Sequence, residues 1–128
     1  MKRKANSQTA ARRRDAIYAM QAEICRVLGH PRRIQILDLL ASGEKSTAQL
    51  LRSLGVSKVN LSQHMALLKR AGLVEMLHHG RAASYRLTFF EVKDACRQIR
   101  QVLAARLRRG TRLARSLGKG AAGSTFTG

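Results

Sequence analysis

The chain has no tryptophan, few aromatic residues of any kind, two cysteines and only seven acidic residues in 128 positions. Each shortage excludes something. Two cysteines cannot staple a disulfide scaffold. The start, MKRKANSQTAARRRD, is charged but has no apolar segment of the secretory type behind it, so a reducing cytoplasm is the expected setting. No run of about 18 apolar residues exists, so no membrane-spanning helix is expected. Three aspartates, no glycine-rich phosphate loop and no nucleophile–base spacing argue against an enzyme, and no cofactor is called for. An arginine-rich helix over 97–115 lacks Trp-like anchors and spreads Arg over several faces, which argues against a membrane-surface role.

Positive charge, by contrast, is abundant. Lys plus Arg number 25, giving a formal net charge of +18. A 45% hydrophobic fraction is too high for a disordered basic tail. The length suits one domain with tails. A folded protein this basic is built for a polyanion, with nucleic acid first and an anionic membrane surface second. The charge is concentrated at the ends. Residues 1–14 carry six basic and no acidic side chains, and 97–128 carry eight and none. The middle, 15–96, holds 11 basic and all 7 acidic residues. The expected organisation is therefore a basic N-terminal arm over 1–14, a domain over 15–109, and a basic, Gly-rich flexible tail over 110–128.

Ile17, Met20, Ile24 and Val27 recur at helical steps and predict an amphipathic helix over 15–28. Pro31 opens a second helix over 31–41, apolar at Ile34, Ile36, Leu37, Leu39 and Leu40. Ser46 or Thr47 caps a short third helix that buries Leu50, Leu51 and Leu54. Gly55 breaks it, and Ser57 caps a fourth helix that runs to Ala71, where Gly72 ends it. The period then changes. Leu73–His78 and Ala82–Thr88 read as strands joined at His79-Gly80-Arg81, with Gly80 free to take the positive φ of a tight turn. Thr88 is placed to cap a last helix striped with Val92, Ala95, Cys96, Ile99, Val102, Leu103 and Leu107, nearly at coiled-coil spacing.

Two short helices around Leu54-Gly55-Val56-Ser57 form the layout of a helix-turn-helix, whose second helix enters the major groove. With Leu61 at zero and about 100° per residue, Met65 falls near +40° and Leu68 near −20°, one buried stripe. Val59, Asn60, Ser62 and Gln63 point away from it, at about +160°, −100°, +100° and −160°. Gln and Asn can bond adenine through two hydrogen bonds, and Val59 can meet a thymine methyl. Ser57 and Lys58 suit phosphates, as does Arg81 at the hairpin tip, and His64, on the stripe's flank, suits either packing or a phosphate rather than a metal. His78 and His79 are adjacent in a strand, so they point to opposite faces and do not readily chelate one ion.

Residues from about Ile24 to Leu103 resemble the ArsR-type (ArsR/SmtB) winged-helix repressors of bacteria. GHPRRIQILDLL is similar to that family's Pro-x-Arg-Leu-x-Ile-Leu block, with Arg33 at the arginine. VSKVNLSQHMALLKRAGLV is similar to its recognition block through Ser57, Ser62, His64, Met65, Leu68, Gly72, Leu73 and Val74. GRAASYRLT is similar to its wing through Gly80, Arg81, Tyr85 and Leu87. The resemblance implies a mainly helical winged helix-turn-helix fold, ordered α-α-α-α-β-β-α, and a homodimer held by its first and last helices. It also implies repression at an inverted repeat until an inducer binds.

Members of that family that sense metals use thiolates at the third helix. The matching stretch here, Glu44 to Leu50, has none, and its Ser, Thr and Ala cannot replace them for a soft ion. Other members use Asp and His in the last helix; Asp94 stands there, but no His follows Gly80. No metal site is therefore expected. Cys25 and Cys96 remain as a candidate thiol switch, since the resemblance implies that their helices pack together in the dimer. Relatives that sense sulfide or oxidants pair the second and last helices, but Asp38 holds the second-helix position here. Core packing of Cys96 is the competing reading. The competing function is an architectural, nucleoid-type DNA binder gripping through its basic ends.

Overall fold

The computed structural model describes residues 2–118, and every structural statement refers to these. Helix α1 spans Lys2–Leu28, α2 Pro31–Leu40, strand β1 Lys45–Ser46, α3 Thr47–Leu54, α4 Lys58–Arg70, β2 Val74–His79, β3 Ala82–Leu87 and α5 Glu91–Leu117. The chain separates into one unit ending at Lys93 and a second beginning at Asp94, within α5.

Local chemistry explains most boundaries in the first unit. Pro31 sits in the first turn of α2, where its missing N–H costs nothing. His30 caps that turn, its Nδ1 accepting from the Arg32 amide at 3.1 Å. Ser46 and Gln49 form a reciprocal capping box at α3. Gly55 ends α3 in the left-handed conformation, φ 65°, which a residue with a Cβ adopts only at a cost. Ser57 caps α4 by accepting from the Asn60 amide at 3.1 Å.

The three strands pair antiparallel in the order β1-β3-β2. Ile36, Leu37 and Leu40 of α2, Leu50 and Leu54 of α3, and Leu61, Met65 and Leu68 of α4 are buried, with Leu73, Val74 and Tyr85 from the sheet side. The core therefore lies behind the helix-turn-helix and against the base of the hairpin. The last turns of α1 flank α4 across an open groove of about 460 Å³ lined by Met20, Ile24, Val27, Leu67 and Arg70.

Several boundaries differ from the sequence reading. The basic stretch at the start is helical from Lys2, so α1 begins well before the helix expected over 15–28. Its Ala, Arg, Lys and Gln residues favour helix without an apolar period, and periodicity alone misses such a segment. The last helix runs past 109 to Leu117, so residues 110–117 are not tail. Gly110 lies inside it in open space and costs about 1 kcal/mol relative to Ala, too little to stop the helix. Residues 119–128 of the expected tail lie outside the described residues. Thr88 does not cap α5. Its amide donates to the Leu73 carbonyl, and the helix begins three residues later, at Glu91. Strand β1, at two residues, is too short for any period to reveal it. No helix among the described residues is long and apolar enough to cross a membrane.

Candidate nucleic-acid interface

The capped start of α4 exposes the face read from the helical angles. Ser57, Lys58, Asn60, Ser62 and Gln63 are exposed, and Val59 is 68% exposed despite being apolar. Leu61, Met65 and Leu68 hold the opposite side in the core. The buried stripe thus fixes which way the polar side chains project. First-turn amides of α4 have no partner within the helix, and Ser57 Oγ accepts from that of Asn60.

Arg81 is exposed at the tip of the β2–β3 hairpin, beside Gly80 at φ 66°. The hairpin is pinned at its side. Glu44 Oε1 accepts from His79 Nε2 at 2.6 Å and also from Ser84 Oγ. These hydrogen bonds, Ser84 first and His79 second, hold the Glu44 carboxyl below its ordinary pKa. Across the two strands Arg86 Nε donates to Glu75 Oε1, the pair that stands opposite in register. Glu44 therefore latches the wing to the loop before β1. Spacing could not reveal the latch, because its members are 35 and 40 residues apart.

The latch is testable. Glu44→Gln should speed amide exchange at His79, Gly80 and Arg81 severalfold while leaving the global melting temperature nearly unchanged. Unchanged exchange at the wing would mean that the strand ladder alone holds it. In acid the same contact fades. A carboxyl with a lowered folded pKa stabilises above its unfolded pKa, and that contribution is lost as pH falls through the folded value, here below 4.5.

His64 requires a correction. It is only 8% exposed and does not join the exposed face as a phosphate contact. Its ring centroid lies 4.5 Å from that of His30, and its Nδ1 lies 3.4 Å from Arg33 Nη1. At about −60° the residue could turn either way, and His30 and Arg33 close the space above it. Burial, then the nearby His30 and Arg33, push its pKa below the ordinary 6.5. Arg33, noted in the sequence only as a motif position, is half-buried, and its Nε donates to the Val27 carbonyl.

Cys25 is exposed on α1, and Cys96 is half-buried on α5. Among the described residues no three His, Cys, Asp or Glu side chains form a metal-holding group.

A groove-sized helix with an exposed polar N-terminal face, set on a helix-turn-helix and flanked by a basic hairpin, defines a winged helix-turn-helix DNA-binding domain. The family profile "Bacterial regulatory protein, arsR family" matches residues 30–76. The HTH-type transcriptional regulator Rv0081 of Mycobacterium tuberculosis is 36% identical over 91 residues, 70% of this chain and 80% of that one. Its crystal structure superposes with a TM-score of 0.69 at 34% identity, covering 74% of this chain and 96% of that one. The homodimeric winged helix-turn-helix DNA-binding domain Mb0332 of Mycobacterium bovis also gives 0.69, at 30% identity over 76% of this chain and 90% of that one. Two further relatives carry opposite signs in their names. The biofilm growth-associated repressor of Xylella fastidiosa is 33% identical over 52% of this chain and 59% of its own length. The transcriptional activator HlyU of Vibrio cholerae is 37% identical over 55% of this chain and 65% of its own. The chain belongs to the arsR family of bacterial regulatory proteins and is a DNA-binding transcriptional regulator.

Proposed function

We propose that the chain is a cytoplasmic, dimeric repressor that reads an inverted-repeat operator and releases it on an inducer signal. The observation that carries this reading is the exposed face of α4, where Val59, Asn60, Ser62 and Gln63 project from a helix locked into the core. In this reading those four meet base edges, while Ser57, Lys58 and Arg81 hold the backbone. The dimer is supported by apolar side chains left exposed in the single chain: Ile17 and Met20 on α1, and Ile99, Val102 and Leu103 on α5. The homodimeric M. bovis neighbour supports it as well. Two copies related by a twofold axis then set half-sites about one helical turn apart.

The inducer step in this reading is thiol chemistry at Cys25 and Cys96. An external disulfide or peroxide takes two electrons and two protons from the two thiols, and one S–S bond forms. The bond would tilt the two recognition helices relative to each other. The experiment is a footprinting titration on the chain's own upstream region, reduced and oxidised, with Cys25→Ser and Cys96→Ser alongside. A single palindromic footprint that weakens on oxidation only when both cysteines are present is the expected result. Equal affinity for that region and for random DNA would sink the repressor reading. Oxidation without effect would remove the thiol switch and leave the repressor. Increased transcription on binding would reverse the sign of regulation.

A second reading is favoured by the acid-free ends of α1 and α5: an architectural binder gripping DNA without regard to sequence. Deleting residues 1–14 and 110–128 separates the two. For the repressor, preference for the operator over random DNA survives, and the salt slope becomes shallower by about 0.9 for each phosphate that is no longer neutralised. For the architectural binder, binding disappears.

A further inference from the structure

We propose that Arg33 and His64 are positioning residues for DNA recognition: the Arg33 guanidinium ties the end of α1 to the buried side of α4 and so sets the angle at which α4 presents its reading face. The inference rests on the reading of α4 as the recognition helix.

The geometry starts at the end of α1. Val27 is the second-last residue of that helix, so its carbonyl lacks an intrahelical donor and lies at the negative end of the helix dipole. Arg33 Nε donates to it from the first turns of α2. The Nη1 of the same planar group faces His64 Nδ1 on α4. One rigid fork thus touches three helices. A lysine has the charge but only a single point of donors and cannot span both partners. The third wall is His30, whose ring packs on His64 while its own Nδ1 accepts from the Arg32 amide, so it too is held by the α1–α2 junction.

Apolar packing at Leu61, Met65 and Leu68 sets how deep α4 lies but is not directional. A hydrogen bond from a fixed fork is directional and selects one rotation of the helix. Asn60 stands one turn before His64 on neighbouring helical faces, so a roll at His64 re-aims Asn60 directly. Movement of α1 would reach α4 through the same fork.

The pair requires a neutral His64, because Nδ1 must accept. The charged and titratable groups facing it are His30, Arg32 and Arg33, every one cationic or able to become so. Protonation converts the acceptor into a donor and sets two cations against each other. Acid therefore breaks the pair. Any sequence-blind change of affinity with pH acts on both kinds of duplex alike. The ratio of sequence-selected to random DNA affinity isolates the effect.

The experiment uses the full chain and a duplex enriched from a random-sequence pool by the wild-type protein, with a scrambled duplex as reference. For the wild type, the affinity ratio should fall as pH drops below the ordinary histidine value of 6.5, because burial and the neighbouring cations keep His64 neutral to lower pH. His64→Gln keeps an acceptor that cannot titrate, so it should retain the ratio at pH 7.5 and lose its pH dependence. Arg33→Gln should lose about tenfold at pH 7.5, unrescued by Arg33→Lys, and the combination with His64→Leu should cost less than the two singles added. Arg33→Gln and Arg33→Lys proteins that both keep the wild-type ratio at pH 7.5 overturn the proposal. So does a His64→Gln profile that parallels wild type. Failure to enrich any duplex overturns instead the reading of α4 itself. Loss of the ratio in Gln63→Ala beside unaffected Arg33→Gln and His64→Leu proteins overturns the positioning role alone.

Discussion

Leu68→Ala lowers the unfolding free energy by about 2–5 kcal/mol, a large part of the roughly 5–15 kcal/mol that holds a domain of this size together. Leu68 has no exposed surface. It lies on the inward stripe of α4 with Leu61 and Met65, opposite the reading face. Truncation removes apolar packing and leaves a cavity that the short helices around it cannot fully close, because Gly55 and the Ser57 cap fix where α4 begins. Leu67, the preceding residue, is partly exposed beside the groove, and its replacement by Ala should cost less than about 1 kcal/mol. Urea unfolding followed by circular dichroism measures both. A Leu68→Ala loss below about 1 kcal/mol would mean that the stripe is not the anchor of α4. DNA binding should fall with the folded fraction for Leu68→Ala and stay unchanged for Leu67→Ala.

Asn60→Ala and Gln63→Ala should each weaken binding to the selected duplex by about 1–3 kcal/mol, roughly 5- to 150-fold, with no loss on scrambled DNA. Both side chains are exposed on the outward face of α4, and neither supports the core. An amide that bonds a base edge through two atoms is sequence-specific, so its loss removes discrimination. Lys58→Ala should behave differently. A phosphate contact carries no sequence information, so affinity falls alike for both duplexes and the salt slope drops by about 1. Salt-titrated binding of the three variants on both duplexes separates the roles. Equal losses on selected and scrambled DNA for Gln63→Ala would move that residue from base reading to backbone contact.

The order of the elements and the outward face of α4 were legible in the sequence. Capping residues and glycines act within a few positions of themselves, so Ser57, Gly55, Gly72 and Gly80 mark their turns without help from distant chain. The helical angle around Leu61 separated Val59, Asn60, Ser62 and Gln63 from the buried stripe because one period governs both. The helical starts and ends rich in Arg and Ala escaped, since they form helix through propensity without the apolar spacing that betrays it.

Contacts between distant positions belong to the tertiary structure alone. Angle alone left His64 on the flank of the stripe, and the approach of α2 buried it: His30 and Arg33, more than 30 residues earlier, closed over a ring that was a candidate for phosphate. Likewise Glu44 meets His79 and Ser84 only because β1 pairs with β3, a pairing two residues long that no local pattern announces. The sequence by itself determined the helix-turn-helix, the exposed polar face of its second helix and a net charge suited to DNA, because caps, period and charge are local or additive properties. The tertiary structure decided which polar residues stay exposed and which are buried against other helices, because burial and hydrogen-bond partners depend on what the fold brings within a few ångströms.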